Sequence, residues 1–229
     1  LGVKGAAIAT VLSQLCSCLF VLHFLFGPAP QVGISFGGYR PWLMGRILLT
    51  GLTPFLIIAV DNLMIIVLNA LLQRYGGESQ GDLLVAAATI SQSFMLVVTM
   101  PLGGMTGGTA SILGYNLGAG QPKRILEAQK YILIIAVAYT GVLCLVGQLF
   151  AAPFTRIFTP DVQVSALAVT AIRITSMGIV PLGVQYVIVD GLTGMGMMRY
   201  SLPLSAFRKL VYFVAIFILP AAFGAMAIF

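Results

Sequence analysis

The chain has 229 residues, of which 59% are hydrophobic and only 8% charged, whereas a soluble domain averages about 25% charged. It cannot cover a water-facing surface with charge. Its net charge of +6 sits in short loops between apolar runs, which points to membrane topology and away from nucleic acid. Six long apolar runs, 5–26, 46–72, 83–113, 131–152, 162–189 and 201–229, each suffice for a helical crossing, which takes roughly 20 residues. They are too long and too little alternating for the strands of a membrane barrel. The expected fold is an all-α polytopic bundle with six crossings, helical so that every backbone amide is paired internally.

The first run opens with GVKGAAIAT, whose Gly5, Ala6, Ala9 and Thr10 allow close approach of another helix. Cys16, Cys18 and Cys144 all fall in apolar runs. A Cys-x-Cys pair on a helix points its thiols about 200° apart, unsuited to one metal or a disulfide, so all three read as small buried hydrophobes. His23 reads as a packing residue without a role. GPAPQVGISFGGYRPW, residues 27–42, is too rich in Pro and Gly to be helical throughout and is the best linker candidate, with Tyr39 and Trp42 suited to a membrane interface.

The second run carries Pro54, Asp61, Asn62 and Asn69 and ends in a polar outer turn, QRYGGESQGD. The third, at roughly 46 Å, exceeds the hydrocarbon core, and Pro101 with the glycines of 103–108 marks a bend. GYNLGAGQPKR, residues 114–124, is a glycine-rich basic turn, and RILEAQKY after it reads as a short amphipathic surface helix. FTRIFTPD, 154–161, is a tight outer turn in which Pro160 and Asp161 can start the next helix. GLTGMGMMRYSLP, 191–203, is a second glycine-rich inner turn, and Arg208 and Lys209 follow near the cytoplasmic end of the last run.

With the first run entering from outside, Arg40, Arg46, Lys123, Arg124, Lys130, Arg199, Arg208 and Lys209 lie inside. Only Lys4, Arg74 and Arg156 lie outside, with Arg173 in or near a helix. Eight against three obeys the positive-inside rule.

Asp61 is the sharpest residue. It stands about mid-membrane, where an acid is costly and by default lines a cavity or ion path; the alternative is a hydrogen bond to a neighbouring helix that serves packing alone. Asn62 and Asn69, seven apart, share one helix face, fit either for a cavity wall or for interhelical hydrogen bonds. Gln92, Thr99 and Thr106 form a second stripe of period seven, with the same two readings. Gln185 and Tyr186 are weaker cavity candidates. No acidic pair suits hydrolysis, and no His cluster suits a metal. GAGQPKR lacks the preceding strand of a phosphate loop. Nothing in the chain supports an enzyme.

These motifs resemble the multidrug and toxic compound extrusion (MATE) family of efflux transporters. GVKGAAIATVLSQ resembles the start of that family's sixth helix. LTGLTPF and VDNLMIIVLNALLQRYGG resemble its seventh helix, MPLGGMTGGTASILGYNLGAGQPKRI its eighth helix and the following cytoplasmic loop, and DGLTGMGMMRYSL the turn after its tenth. The resemblance runs almost end to end. It implies a twelve-helix protein of two six-helix lobes. Residues 1–26 would be the last helix of the N-terminal lobe, 27–45 the cytoplasmic inter-lobe linker, and 46–229 the C-terminal lobe with its final helix missing. It also implies secondary active multidrug efflux by cation antiport, with alternating access. Asp61 falls where family members often have a cation-coupling Glu. No second acid is expected mid-membrane, because Asp190 lies at the cytoplasmic end. No cofactor or metal is implied, and the coupling ion would be Na⁺ or H⁺. The expected partners are small amphipathic or cationic substrates and membrane lipid, with no nucleic acid, in a protein monomeric at full length in a bacterial plasma membrane. Two alternatives remain. A lipid-linked saccharide flippase of the same superfamily would carry more cations in its cavity. A non-transporting scaffold subunit would not need Asp61.

Overall fold

A computed structural model describes residues 2–27, 37–38 and 40–223. The expected linker in its Pro- and Gly-rich part, Tyr39 and the apolar tail at 224–229 lie outside the described residues. Six helices follow in order: α1 (Gly2–Phe26), α2 (Pro41–Gly118), α3 (Pro122–Phe158), α4 (Val162–Met177), α5 (Ile179–Gly194) and α6 (Met198–Phe223). They fall into two compact units, Leu1–Ile47 and Leu48–Phe229.

In the first unit, α1 contains a 20-residue stretch, Ala7–Phe26, of mean hydropathy 2.0. Cys16 and Cys18 are free and exposed on it, not buried as the sequence suggests, while Cys144 on α3 is half-buried. A helix surrounded by lipid or by other apolar helices needs no burial within its own unit, so an apolar run does not tell which face is covered. The Arg46 guanidinium lies 5.0 Å over the exposed Trp42 ring, a cation–π contact suited to the level of the headgroups.

In the second unit, α2 breaks once, at Gly77 (φ 63°, ψ −169°). The two arms, Phe55–Gly77 and Gln80–Gly118, are each long and apolar enough to span a membrane. The left-handed φ at Gly77 is open chiefly to glycine. Gly76 faces Gly81 so closely that a Cβ would fall 2.7 Å from the Gly81 backbone. The GGESQG segment therefore makes a hairpin of two helices, the outer turn expected from the sequence.

The second arm stays helical through Pro101 and the glycines of 103–108, so the chain does not leave the helix where the sequence marks a bend. It runs 39 residues, or roughly 58 Å, longer than a hydrocarbon core of about 30 Å. RILEAQKY is likewise no separate surface helix but the first turns of the 37-residue α3. The outer turn after α3 is shorter than FTRIFTPD, since 154–158 are helical and only 159–161 are not. The Asp161 carboxylate accepts from Gln163 N and Val164 N and so caps α4.

The fifth apolar run is two helices, α4 and α5, bent by 50° at Gly178. Pro181 has no N–H to give to the Met177 carbonyl, and the ladder restarts from Leu182 N to Gly178 O. Counted as one broken span, the pair brings the crossings to six, in agreement with the sequence.

The two glycine-rich turns that the sequence places inside close in the same way. Gly120 (φ 66°) donates to Leu117 O while Gln121 donates to Asn116 O; Gly196 (φ 73°) donates to Thr193 O while Met197 donates to Leu192 O. Each is a left-handed glycine cap with nested 6→1 and 5→2 bonds. Pro122 then starts α3 where a missing N–H costs nothing. Gly118 is the last helical residue of α2, so Gly120 alone makes the reversal, and Lys123, Arg124 and Lys130 beyond it are exposed.

Three apolar clusters hold the unit together. One joins α2, α3, α4 and α5 around Phe94, Val98, Ile172 and Ile179; one joins both arms of α2 to Ile216 of α6; the third joins Leu102, Ile132, Ala136 and Val187. Small residues let the backbones approach: a Cβ on Gly194 would fall 2.5 Å from that of Ala110, and one on Gly183 2.7 Å from Thr140 Cγ2. Polar ties between helices include Gln129 Nε2 to Val187 O (2.9 Å), Gln148 Nε2 to Ser176 Oγ (2.7 Å) and Tyr139 Oη to Val97 O (3.0 Å).

Candidate functional site

The two arms of α2, the bent α4–α5 pair and α6 enclose a cleft. Its largest part, about 720 Å³, is lined by Leu68, Gln92, Met95, Gln185, Arg208 and Tyr212 among others. A second part of about 410 Å³ shares Leu68, Gln92, Met95, Arg208 and Tyr212 with the first and adds Asp61, Thr99 and Lys209. A recess of about 100 Å³ then joins Asp61, Gln185, Tyr186, Asp190 and Arg208. The three spaces adjoin one another around Arg208, which lines all of them.

Of the residues picked from the sequence, Asp61, Gln92, Thr99, Gln185 and Tyr186 meet on this cleft. Asn62 does not line it: its Nδ2 donates to Ile58 O of its own helix at 2.9 Å. Asn69 does not line it either, and its Oδ1 is buried with no hydrogen-bond partner. Thr106 is buried below the cleft, where its hydroxyl lies 2.6 Å from Asp190 Oδ2 and donates to it. Gln92 and Thr99 of the stripe line the cleft, whereas Thr106 donates to Asp190.

Three charged residues differ from the sequence reading. Lys209 is not at the cytoplasmic end of its helix but twelfth in the 26-residue α6. It is 6% exposed, and its ammonium lies 2.7 Å from Asp61 Oδ1, whose side chain is 50% exposed. The same ammonium donates to Ile57 O on the preceding turn of α2. Arg208, beside it, faces all three parts of the cleft. Removing these two from the eight cations expected inside leaves six against three, a bias of the same sign. Asp190 also sits deeper than its place in α5 suggests. The end of α5 packs against α2 at Ala110 and Gly114, not at Gly118, which sets Asp190 level with Thr106. The cleft thus gathers two acids and two cations, where the sequence offers one acid. The signal is available: an acid at membrane depth pairs with another ionisable group or with backbone, and Lys209 is the basic residue that α6 can bring to it.

Electrostatically the cleft is divided. Asp61 and Lys209 neutralise each other at its edge, and Asp190 is held by Thr106. Arg208 Nε is buried without a hydrogen-bond partner. Among the described residues no group of three or more His, Cys, Asp or Glu is placed to hold a metal ion. Mobile ions and ligands would instead meet one half-exposed carboxylate and one unpaired guanidinium between apolar walls.

Residues 55–218 match the family model described as MatE. The chain belongs to the MatE family. It is 22% identical over 231 residues to the multidrug export protein MepA of Staphylococcus aureus (strain MRSA252), covering 98% of this chain and 49% of that protein. It is equally 22% identical to MepA of Staphylococcus haemolyticus (strain JCSC1435), over 227 residues. A solved structure, described as the outward-facing conformation of a multidrug resistance MATE family transporter of the MOP superfamily, superposes with a TM-score of 0.87. That superposition has 25% identity and covers 100% of this chain and 51% of the other. The chain therefore spans about half the length of the relatives it matches. It is an all-α integral membrane protein of the plasma membrane, from a family of transporters and not of enzymes.

Proposed function

We propose that this chain supplies one half of a secondary active efflux transporter. The transporter exports small amphipathic compounds, cationic ones included, and is driven by antiport of Na⁺ or H⁺. Residues 46–229 form most of one lobe, 27–45 bridge to the other, and 1–26 are the other lobe's last helix. The two lobes alternate access to the cleft by rocking, the usual mechanism of transporters built from repeats. The observation that carries the reading is the cleft itself. An apolar, drug-sized space opens onto a half-exposed carboxylate, Asp61, in the middle of an apolar helix. The relatives named as multidrug export proteins support it.

In this reading Asp61 is the coupling residue. Gln92, Thr99, Gln185 and Tyr186 are wall residues, and Asp190 is a second acid within the same cleft. A coupling cation must compete with the Lys209 ammonium for Asp61, so ion binding and a shift of α6 against α2 are linked. Such competition yields coupling only when the ion and the drug change each other's affinity. The test is dye efflux from proteoliposomes of the full-length protein under an imposed Na⁺ or H⁺ gradient. Export driven by one of these gradients is expected; export driven by neither, with the protein correctly folded, would overturn the reading.

A further inference from the structure

Arg208 and Lys209 are adjacent on α6, about 100° apart around the helix, and they meet different surroundings. Lys209 turns to the first arm of α2 and is satisfied by Asp61 and the Ile57 carbonyl. Arg208 turns into the cleft. Its Nε is buried with no hydrogen-bond partner, and among the described residues no carboxylate comes within 4.0 Å of its guanidinium. Asp61 is engaged by Lys209, and Asp190, across the small recess, by Thr106. Arg cannot shed its proton to escape this setting, and an unpaired guanidinium at membrane depth is costly. The part of the cleft of about 720 Å³ in front of it is otherwise uncharged. Among the described residues Arg208 is its single ionised lining group, set between the amides of Gln92 and Gln185 and the apolar surfaces of Leu68, Met95 and Leu182.

We propose that this space is a binding site for an amphipathic anion, a molecule with an apolar body and a carboxylate or phosphate head. The head pairs with Arg208, whose planar fork fits either oxyanion through two parallel hydrogen bonds. The Gln92 amide is within the same wall to donate a further bond, Gln185 Nε2 already donates to Leu204 O at 3.5 Å, and the apolar body lies along the aliphatic side. The site adds anionic amphiphiles to the compounds the cleft accepts. It rests on the export reading for its physiological role but not for its occupancy. The head group could belong to a soluble compound or to an anionic lipid entering from the bilayer, because the chemistry is the same.

The test is equilibrium titration of the full-length protein in phosphatidylcholine nanodiscs with a dansyl-labelled aminoundecanoate, compared with its neutral methyl ester. No ion gradient is applied, so loss of gradient-driven export in other assays and loss of this binding are separate results. The wild type should bind the carboxylate at least ~10-fold more tightly than the ester, the effect of one charged hydrogen-bonded contact. Arg208→Gln should abolish that preference while leaving ester binding in place, which also reports that the cleft is folded; Arg208→Lys should keep most of it. Phosphatidylglycerol added to the nanodisc will compete if the anion is a lipid headgroup, and will leave the titration unchanged if it is a soluble compound. Equal affinity of wild type for acid and ester, or an Arg208→Gln protein that retains the preference, would overturn the proposal.

Discussion

The Asp61–Lys209 pair allows a prediction about stability in which the two partners are not equivalent. Lys209 is almost fully buried and Asp61 is half exposed. Asp61→Ala removes the counter-charge and leaves a buried ammonium with only the Ile57 carbonyl. Breaking a buried pair costs about 3–5 kcal/mol, and because Asp61 is half exposed the lower end, about 3 kcal/mol, applies. An unpaired Lys at the centre of a membrane helix costs about as much on insertion scales. Lys209→Met leaves instead a carboxylate that the cleft can hydrate, and the Met stem replaces the buried methylenes, so the loss is about 1 kcal/mol. The double variant has no orphaned charge and should lie within about 1 kcal/mol of wild type. Viewed alone, α2 becomes cheaper to insert without its acid; the penalty arises from the partner helix. Reversible unfolding of the full-length protein in mixed micelles, followed by circular dichroism, measures all four forms. If the losses of the single variants simply add in the double variant, the two side chains are not coupled and the pair has no energetic meaning.

Three further predictions follow from topology, packing and completeness. A cysteine at Gln121, exposed in the left-handed cap after α2, should be labelled only from the cytoplasm and one at Ser79 only from outside; labelling of both from one side would contradict the order of crossings. Gly194→Val should destabilise by about 1–3 kcal/mol, because its Cβ meets the Cβ and backbone of Ala110 and neither helix can yield without moving; an unchanged unfolding midpoint would show that α5 does not pack there. The 229-residue chain expressed alone should transport nothing; dye export by it as a monomer would show that the other half is not needed.

Much of this fold is legible in the sequence because lipid imposes a simple rule. Apolar runs of sufficient length become helices, and a glycine of positive φ ends them, as at Gly77, Gly120 and Gly196. The differences arise where the local signal has two outcomes. Pro101 lies within a continuous helix, whereas at Pro181, with Gly178, the helix breaks and the chain bends by 50°; both are prolines inside apolar runs, so residue type alone does not separate the two outcomes. At the site, Asp61, Gln92, Thr99, Gln185 and Tyr186 are recoverable as polar residues out of place in apolar helices. Asn62 fails that test because an Asn can satisfy itself on its own backbone at Ile58. Arg208 and Lys209 read as topological charges only while the last helix is taken to start at 201. It begins at Met198, and the register between helices, not the distance from a helix end, sets depth. Asp190 differs for the same reason, since α5 ends against α2 at Ala110 and Gly114, short of the end of that helix.

In the proposed function, coupling of an ion gradient to export rests on Asp61. Asp61→Asn keeps the size of the side chain and lets its amide oxygen accept from Lys209, but it removes the charge at which the proposal has a Na⁺ or H⁺ bind. In proteoliposomes of the full-length protein, efflux of a cationic dye under an imposed gradient should be lost in Asp61→Asn, with dye binding kept, and partly retained in Asp61→Glu. Full gradient-driven efflux by Asp61→Asn would remove Asp61 from the mechanism and leave it as the packing partner of Lys209.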